Sequence, residues 1–349
     1  MRKLRTRIQQ KSFGFHNQKE VFILSIKNNN GMQLQITNFA ATITSLEVPN
    51  IEGELVNVVV GFDTLQDYIT KSEGKESKFL GASVGRYAGR ISKGKIIVGG
   101  IEYQLHNEQG VHLHGGRKGF DEKVWEIDDI DEEELSVSLS YYSEHMEEGY
   151  PGALGVKVTY QLTNDNELNI IYQAISDQDT IINLTNHAYY NLSGENTIAD
   201  HELKLNCSTY LEVDKKHLPT GKIQSVANTK YDFLVSRKLD ILEEKGIIDD
   251  AFIFDKEKEA KASVYSPKTG IQMDVYTNQP AVVIYTLEEF PDWNFRNGVK
   301  YGTFPSICFE TQNYPDAPNH EHFPSALLKA KELYKNSSTF KFSIAKNIR

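Results

Sequence analysis

Runs of strict two-residue alternation recur along this chain and constrain its fold more than any other feature. Leu135, Val137, Leu139 and Tyr141 alternate with Glu134, Ser136, Ser138 and Ser140. Val156, Val158, Tyr160 and Leu162 alternate with Lys157, Thr159, Gln161 and Thr163. The same pattern appears at Met32, Leu34 and Ile36, at Leu168, Ile170, Tyr172 and Ala174, and at Phe340, Phe342 and Ile344. Such runs turn one apolar face inward and one polar face outward. Turn signals separate them, among them Asn28-Asn29-Asn30-Gly31, Gly99-Gly100 and Asn164-Asp165-Asn166. Helical signals are few. Residues 63–70, 239–245 and 325–334 are the predicted short helices. The expected fold is all-β, a large antiparallel β-sandwich with a few short helices. It is expected to form one domain over residues 1–349, with residues 1–12 as a peripheral N-terminal segment.

Composition excludes several classes of function. The net charge of −10 argues against nucleic acid or an anionic membrane as the main partner. No apolar run approaches the ~18 residues of a membrane span. The basic start, MRKLRTRIQQK, lacks the apolar core of a secretory signal, so a cytoplasmic location is expected. With only Cys207 and Cys308, the chain has no disulfide framework and no cysteine-based zinc site. The acidic stretch Glu126 to Glu134 falls between strand patterns and predicts a solvated hairpin.

Four polar constellations carry the candidate chemistry. Gly85-Arg86-Tyr87-Ala88-Gly89-Arg90-Ile91 sets two arginines four apart around a glycine. Arg86 reads equally well as surface charge. Arg90 suits a carboxylate or polyol partner, because a guanidinium presents five donors in a rigid fork. Val111-His112-Leu113-His114-Gly115-Gly116 would direct both histidines to one face of a strand. That spacing suits a metal, but no carboxylate follows closely, Glu122 being eight residues on. A hydrogen-bonding role is the expectation, with no metal and no cofactor. Asn183-Leu184-Thr185-Asn186-His187 through Gly194 crowds amides and an imidazole between apolar residues. Such a cluster forms an internal network or serves a hydroxyl-rich ligand. Finally, Glu310 ends the short apolar strand Ile307-Cys308-Phe309, where burial would raise its pKa into the range of a general base. Asp249-Asp250 and Thr277-Asn278-Gln279-Pro280 are weaker accessory segments.

Taken together, GRYAGRI, LHGGRKGFDEKVW, EEGYPGALGVKVTY, NLTNHAYYNLSG and ETQNYPDAPNHEHFPS resemble the aldose 1-epimerase (galactose mutarotase) family in order and spacing, from Phe13 to Ile344. The resemblance implies the large β-supersandwich of that family and an isomerase acting on small aldoses such as galactose and glucose, as monomer or homodimer. It implies Glu310 as catalytic base and His187 as catalytic acid. It assigns His114, Arg90, Asp249 and Gln279 to substrate binding. Gly89 stands where many relatives have Asn, Asp250 where many have His or Asn, and Glu288-Glu289 where Gly-Asn is usual. These departures bear on substrate preference. The residue types suit the reaction: a base takes the C1 hydroxyl proton while an acid protonates the ring oxygen, and neither step needs an electron carrier.

Three rival readings remain. A hexose-6-phosphate epimerase would need a basic pocket, for which Arg86, Arg117 and Lys118 are candidates. A non-catalytic sugar-binding protein on the same scaffold would bind without turnover. A metal-dependent cupin-type enzyme would use His112 and His114.

Overall fold

The computed structural model describes residues 7–72, 77–255 and 260–345. Their strands are antiparallel and form three large sheets and several two-stranded ribbons. The largest has nine strands and contains the alternating runs that mark the sequence. Leu154–Leu162 pairs with Ser136–Ser143 on one side and with Glu167–Ser176 on the other, and Tyr334–Ile344 follows. A six-stranded sheet runs in the order Tyr189–Tyr190, Ile307–Gln312, Ala281–Thr286, Asp249–Ile253, Thr209–Val213, Pro219–Ser225. Five strands between Ile8 and Asn57 form the third.

The inner faces of all three meet in one apolar core. Val156, Val158 and Ile170 of the nine-stranded sheet join Val282, Ile284 and Phe309 of the six-stranded sheet and Leu34 and Ile36 of the third. This is the face-to-face packing that the alternation predicts. The acidic stretch forms the strand Glu126–Asp131 at an edge of the nine-stranded sheet. Its exposed carboxylates leave that edge unattractive to a second chain.

Two helix expectations hold with shifted ends, and one does not. Leu65–Ser72 is helical, and the Thr64 hydroxyl caps it by accepting the Asp67 N–H at 3.2 Å. Ile241–Lys245 is helical and stops at Gly246, whose φ is +73°. Residues 325–334 are not helical. Leu327–Leu328 bridges to Thr180–Ile181, and the Asp179 carboxylate takes the Ala330 N–H. Strand partners satisfy this backbone, and the tertiary contact overrides its helix propensity. The N-terminal expectation also changes. Residues 8–12 belong to the edge strand Ile8–His16, paired with Lys19–Lys27, while residues 1–6 lie outside the described residues.

Arg86 holds the loops around the GRYAGRI segment together. It is 2 % exposed, and its guanidinium donates to Ser143 Oγ and to the carbonyls of Ser143, Glu144, Pro151 and Gly152 at 2.7–3.2 Å. Burial lowers its pKa, and Glu147 nearby opposes that shift. No donor is left over for a ligand. Arg86→Met would leave these buried carbonyls without a partner, each costing ~1–3 kcal/mol. The expected result is a loss of at least ~3 kcal/mol in urea unfolding.

Candidate active site

The cavity-facing side of the six-stranded sheet is a small grid fixed by strand register. Asp249 pairs with Tyr285, and Tyr285 with Cys308. One row on, Ala251 pairs with Val283, and Val283 with Glu310. A further row sets Ile253 beside Ala281, and Ala281 beside Gln312. The alternate residues Phe252, Val282, Ile284, Ile307 and Phe309 point into the core. Glu310 is therefore mid-strand in Ile307–Gln312 and not at its end. The strand continues because its backbone stays paired, Thr311 with Val282 and Gln312 with Ala281, while on the core side the Thr311 hydroxyl bonds Ser338 Oγ and its carbonyl accepts from Asn336.

A cavity of about 250 Å³ opens over this grid. It lies just below the ~300 Å³ at which typical ligand pockets begin, a size suited to one small ring. His187, His114, Arg90, Asp249 and Glu310 all line it. Glu310 Oε1 lies 3.4 Å from His187 Nε2, and the two side chains are 3 % and 5 % exposed. The flanking Val283 and Ala251 offer the carboxyl no hydrogen bond. Burial, reinforced by the Asp249 charge, pushes the Glu310 pKa up to about 8. Burial lowers that of His187 to about 4. At neutral pH the pair therefore holds one proton, on the carboxyl.

Aromatic rings fix the imidazole. His187 stacks between Phe79, at 5.8 Å, and Tyr189, at 5.1 Å, with the Cys308 sulfur 3.6 Å from Nδ1. Its amide neighbours do not face the cavity. Asn183 clamps Ala88 and Asn313, and Asn186 donates to the Gly81 carbonyl. The polar cluster of that segment is an internal network, with His187 as the member aimed at the cavity.

His114 arrives from another direction. Arg90–Ser92 pairs with Val111–Leu113, placing Arg90 opposite Leu113. The strand then ends, and His114 takes φ +49°. The turn separates the two histidines that strand spacing would place on one face. His112 is buried against Tyr150, with its Nδ1 toward the His106 carbonyl. His114 Nδ1 accepts the Gly89 N–H at 3.1 Å, so the proton of the neutral ring sits on Nε2. Burial and the neighbouring His187 keep His114 neutral.

One nitrogen or oxygen each of His114, His187 and Glu310 lie within 4.8 Å of one another. As metal ligands they fit poorly. The Gly89 contact occupies His114 Nδ1 and leaves its Nε2 a donor. The geometry suits hydrogen bonding to hydroxyls, with a carboxyl and an imidazole close enough to give and take protons at one small ligand.

Asp249 sits at the mouth. Its Oδ2 is 3.3 Å from Arg90 and 3.4 Å from His217. The remaining expectations separate. Gln279 is not at this cavity. It lies in the turn before Ala281–Thr286, bonded to Asn278 and Thr277, and lines a different surface hollow with Pro280 and Asn313. Its row of the grid lies beyond Gln312, too far along the strand to reach Glu310. Asp250 points to the opposite face, against Tyr231. Glu288 and Glu289 are exposed and off the cavity, as are Arg117 and Lys118, so the residues expected for a phosphate pocket do not come together there; the basic side chains that do line the cavity are Lys78 and Arg90. Phe79, Tyr189, Tyr285 and His217 line the site without having been singled out. The aromatic residues carry no local signal, because their role depends on register and on the loop that brings Phe79 over His187.

Comparison with known proteins agrees with the geometry. A family model described as aldose 1-epimerase matches residues 23–341. The chain belongs to the aldose 1-epimerase family. The galactose mutarotase of Bos taurus is 39% identical over 325 residues, covering 90% of this chain and 92% of that protein. The aldose 1-epimerase of Haemophilus influenzae is 35% identical over 96% of this chain and 99% of its own length. Among solved structures, the aldose epimerase homologue of C. elegans superposes with a TM-score of 0.86 at 30% identity. It covers 93% of this chain and 99% of that one. Family membership accounts for the shared β architecture.

The proton on Glu310 is directly observable. The infrared difference between the parent and Glu310→Gln at neutral pH should isolate a protonated carboxylic C=O band that titrates away near pH 8, over the separate contribution of Asp121, which burial also pushes up to about 8. Loss of that band only near pH 4–5 would show the carboxyl to be solvated like a surface glutamate.

Proposed function

We propose that this aldose 1-epimerase interconverts the α and β anomers of free hexoses such as D-galactose and D-glucose, with Glu310 taking a proton from one sugar oxygen as His187 gives one to the other. The observation that carries the reading is the 3.4 Å contact between a buried carboxyl and a buried imidazole in a cavity of single-ring size.

In the ring-opening step Glu310, as carboxylate, takes the proton of the C1 hydroxyl. His187, as imidazolium, gives one to the ring oxygen. The C1–O5 bond breaks, leaving the open-chain aldehyde, a neutral imidazole and a protonated carboxyl. That is the protonation state the buried pair prefers without a ligand. Rotation about C1–C2 turns the other carbonyl face toward the O5 hydroxyl. Reclosure returns the O5 proton to His187 and the Glu310 proton to O1. The proton count of the pair never changes. The site is matched electrostatically to the intermediate, where differential stabilisation lowers the barrier. Arg90, Asp249 and the His114 Nε2–H serve the sugar hydroxyls. Charged partners at a partly buried mouth make such hydrogen bonds strong and directional.

Polarimetry on freshly dissolved α-D-galactose and α-D-glucose, corrected for the uncatalysed rate, tests the activity. Glu310→Gln and His187→Asn should each lower kcat by about 10²–10⁴-fold with the far-UV circular dichroism unchanged. Parental rates in either variant would remove that residue from the mechanism.

The pH dependence follows from counting protons. Below about 4 His187 gains a second proton for the pair, and above about 8 Glu310 loses the only one. The kcat/KM profile should be a broad bell with limbs near those values. A profile still rising above pH 9 would be incompatible with the shared proton.

A further inference from the structure

A β-hairpin borders the mouth of the cavity. Thr209–Val213 and Pro219–Ser225 are its arms, and Val213 pairs with Pro219. Both of these residues line the cavity, and so does His217 from the turn between them. The turn is pinned. The Asp214 carboxylate accepts the N–H groups of Lys216 at 2.7 Å and Leu218 at 3.0 Å, and the Asp214 carbonyl accepts that of His217 at 3.0 Å. Lys216 Nζ donates to the Gln109 carbonyl of a separate loop at 3.2 Å. His217 itself takes φ +56°, a left-handed conformation more at home to glycine and asparagine. Other residues held there are often found at functional sites.

Among the described residues, the imidazole has one close polar contact, Nδ1 to Asp249 Oδ2 at 3.4 Å. An ionised carboxylate only accepts, so the ring presents an N–H on that side. Nε2, at the other edge of the ring, is left for a ligand. The side chain is 47 % exposed, so a molecule entering the cavity can reach it. Its place along a bound sugar follows from the sheet. Asp249 and Glu310 stand on strands two apart, with Ala281–Thr286 between them, a separation of ~9–10 Å. Glu310 and His187 face the C1–O5 bond of the ring. Asp249 and His217, on the far side of the cavity floor, face the opposite edge, which is C3–C4.

We infer that His217 is a specificity-determining residue of this chain, its Nε2 hydrogen-bonded to the C3 or C4 hydroxyl of the bound aldose while its Nδ1 faces Asp249, a role that rests on the anomer-exchange reading above. The imidazole and the Asp249 carboxylate then grip the end of the ring remote from the chemistry. Such a contact is made equally with the bound sugar and with the opened chain, so it contributes to binding and not to the proton transfers.

The test compares the parent with His217→Gly and His217→Asn on D-galactose and its 2-, 3-, 4- and 6-deoxy analogues, reading kcat and KM for each by polarimetry. Both replacements accept the positive φ of the turn, and neither side chain reaches as far as the imidazole. On D-galactose each variant should lose about 3–10-fold in kcat/KM, the net worth of one hydrogen bond, and the loss should lie in KM. The 2- and 6-deoxy sugars should show the same loss. With the 3-deoxy or the 4-deoxy sugar, parent and variants should be equal within error, and that sugar names the hydroxyl.

An equal loss on every sugar would overturn the inference, since His217 would then act only on the shape of the turn or on Asp249. A loss that vanishes with the 2- or 6-deoxy sugar would overturn the placement. No loss on D-galactose, a loss in kcat at unchanged KM, or a loss in His217→Gly alone, which would report the stiffness of the hairpin, would overturn it too. A parent protein that fails to speed mutarotation of any of these sugars would instead defeat the anomer-exchange reading itself.

Discussion

One buried carboxyl beside one buried imidazole is the constraint to which the rest of the molecule answers. A carboxyl in water gives up its proton well below neutrality, and an imidazole titrates near it. Set side by side with Val283 and Ala251 as flanks and Phe79 and Tyr189 as walls, the two reverse that order. Neither formal charge is favoured in the pocket, so a single proton becomes common property. A stable reversed pair needs walls that do not breathe, which is the service of a large sandwich with a continuous core.

The polar residues around the site divide into those that hold and those that act. Arg86, Asn183 and Asn186 spend their hydrogen bonds on backbone carbonyls and amides of neighbouring loops. Asn183 and Asn186 rivet the segment from Asn183 to His187 onto that from Gly81 to Arg90, and Arg86 ties the latter to the loops between Ser143 and Gly152. His187, His114 and Glu310 keep an atom pointed at the hollow. Residues of both kinds stand within a few positions of each other in sequence, and only the third dimension sorts them.

That sorting explains what could be read from the chain alone. Alternation announced the sheets, because a half-buried strand must repeat every two residues. Glu310 and His187 were legible because a carboxylate and an imidazole amid apolar runs need a reason to be there. The extent of the Glu310 strand was not, since the backbone that carries its pairing through Thr311 and Gln312 belongs to Ala281–Thr286, a distant part of the chain. Nor was the parting of His112 from His114, which hangs on one positive φ at the end of a three-residue strand. Residues 325–334 show the converse: good helix formers in isolation, held extended by a bridge to Thr180–Ile181. Gln279 carried the right chemistry at the wrong end of its strand.

Asp249 at the cavity mouth couples the rim of the site to its floor. Its negative charge is one reason Glu310 clings to its proton. A sugar hydroxyl donating to Asp249, as proposed, would damp that repulsion, while Arg90, 3.3 Å away, favours the carboxylate. On the proposed mechanism, arrival of the ligand would loosen the hold of Glu310 on its proton at the moment a base is wanted. Recognition at the rim and readiness at the floor would then be one electrostatic event.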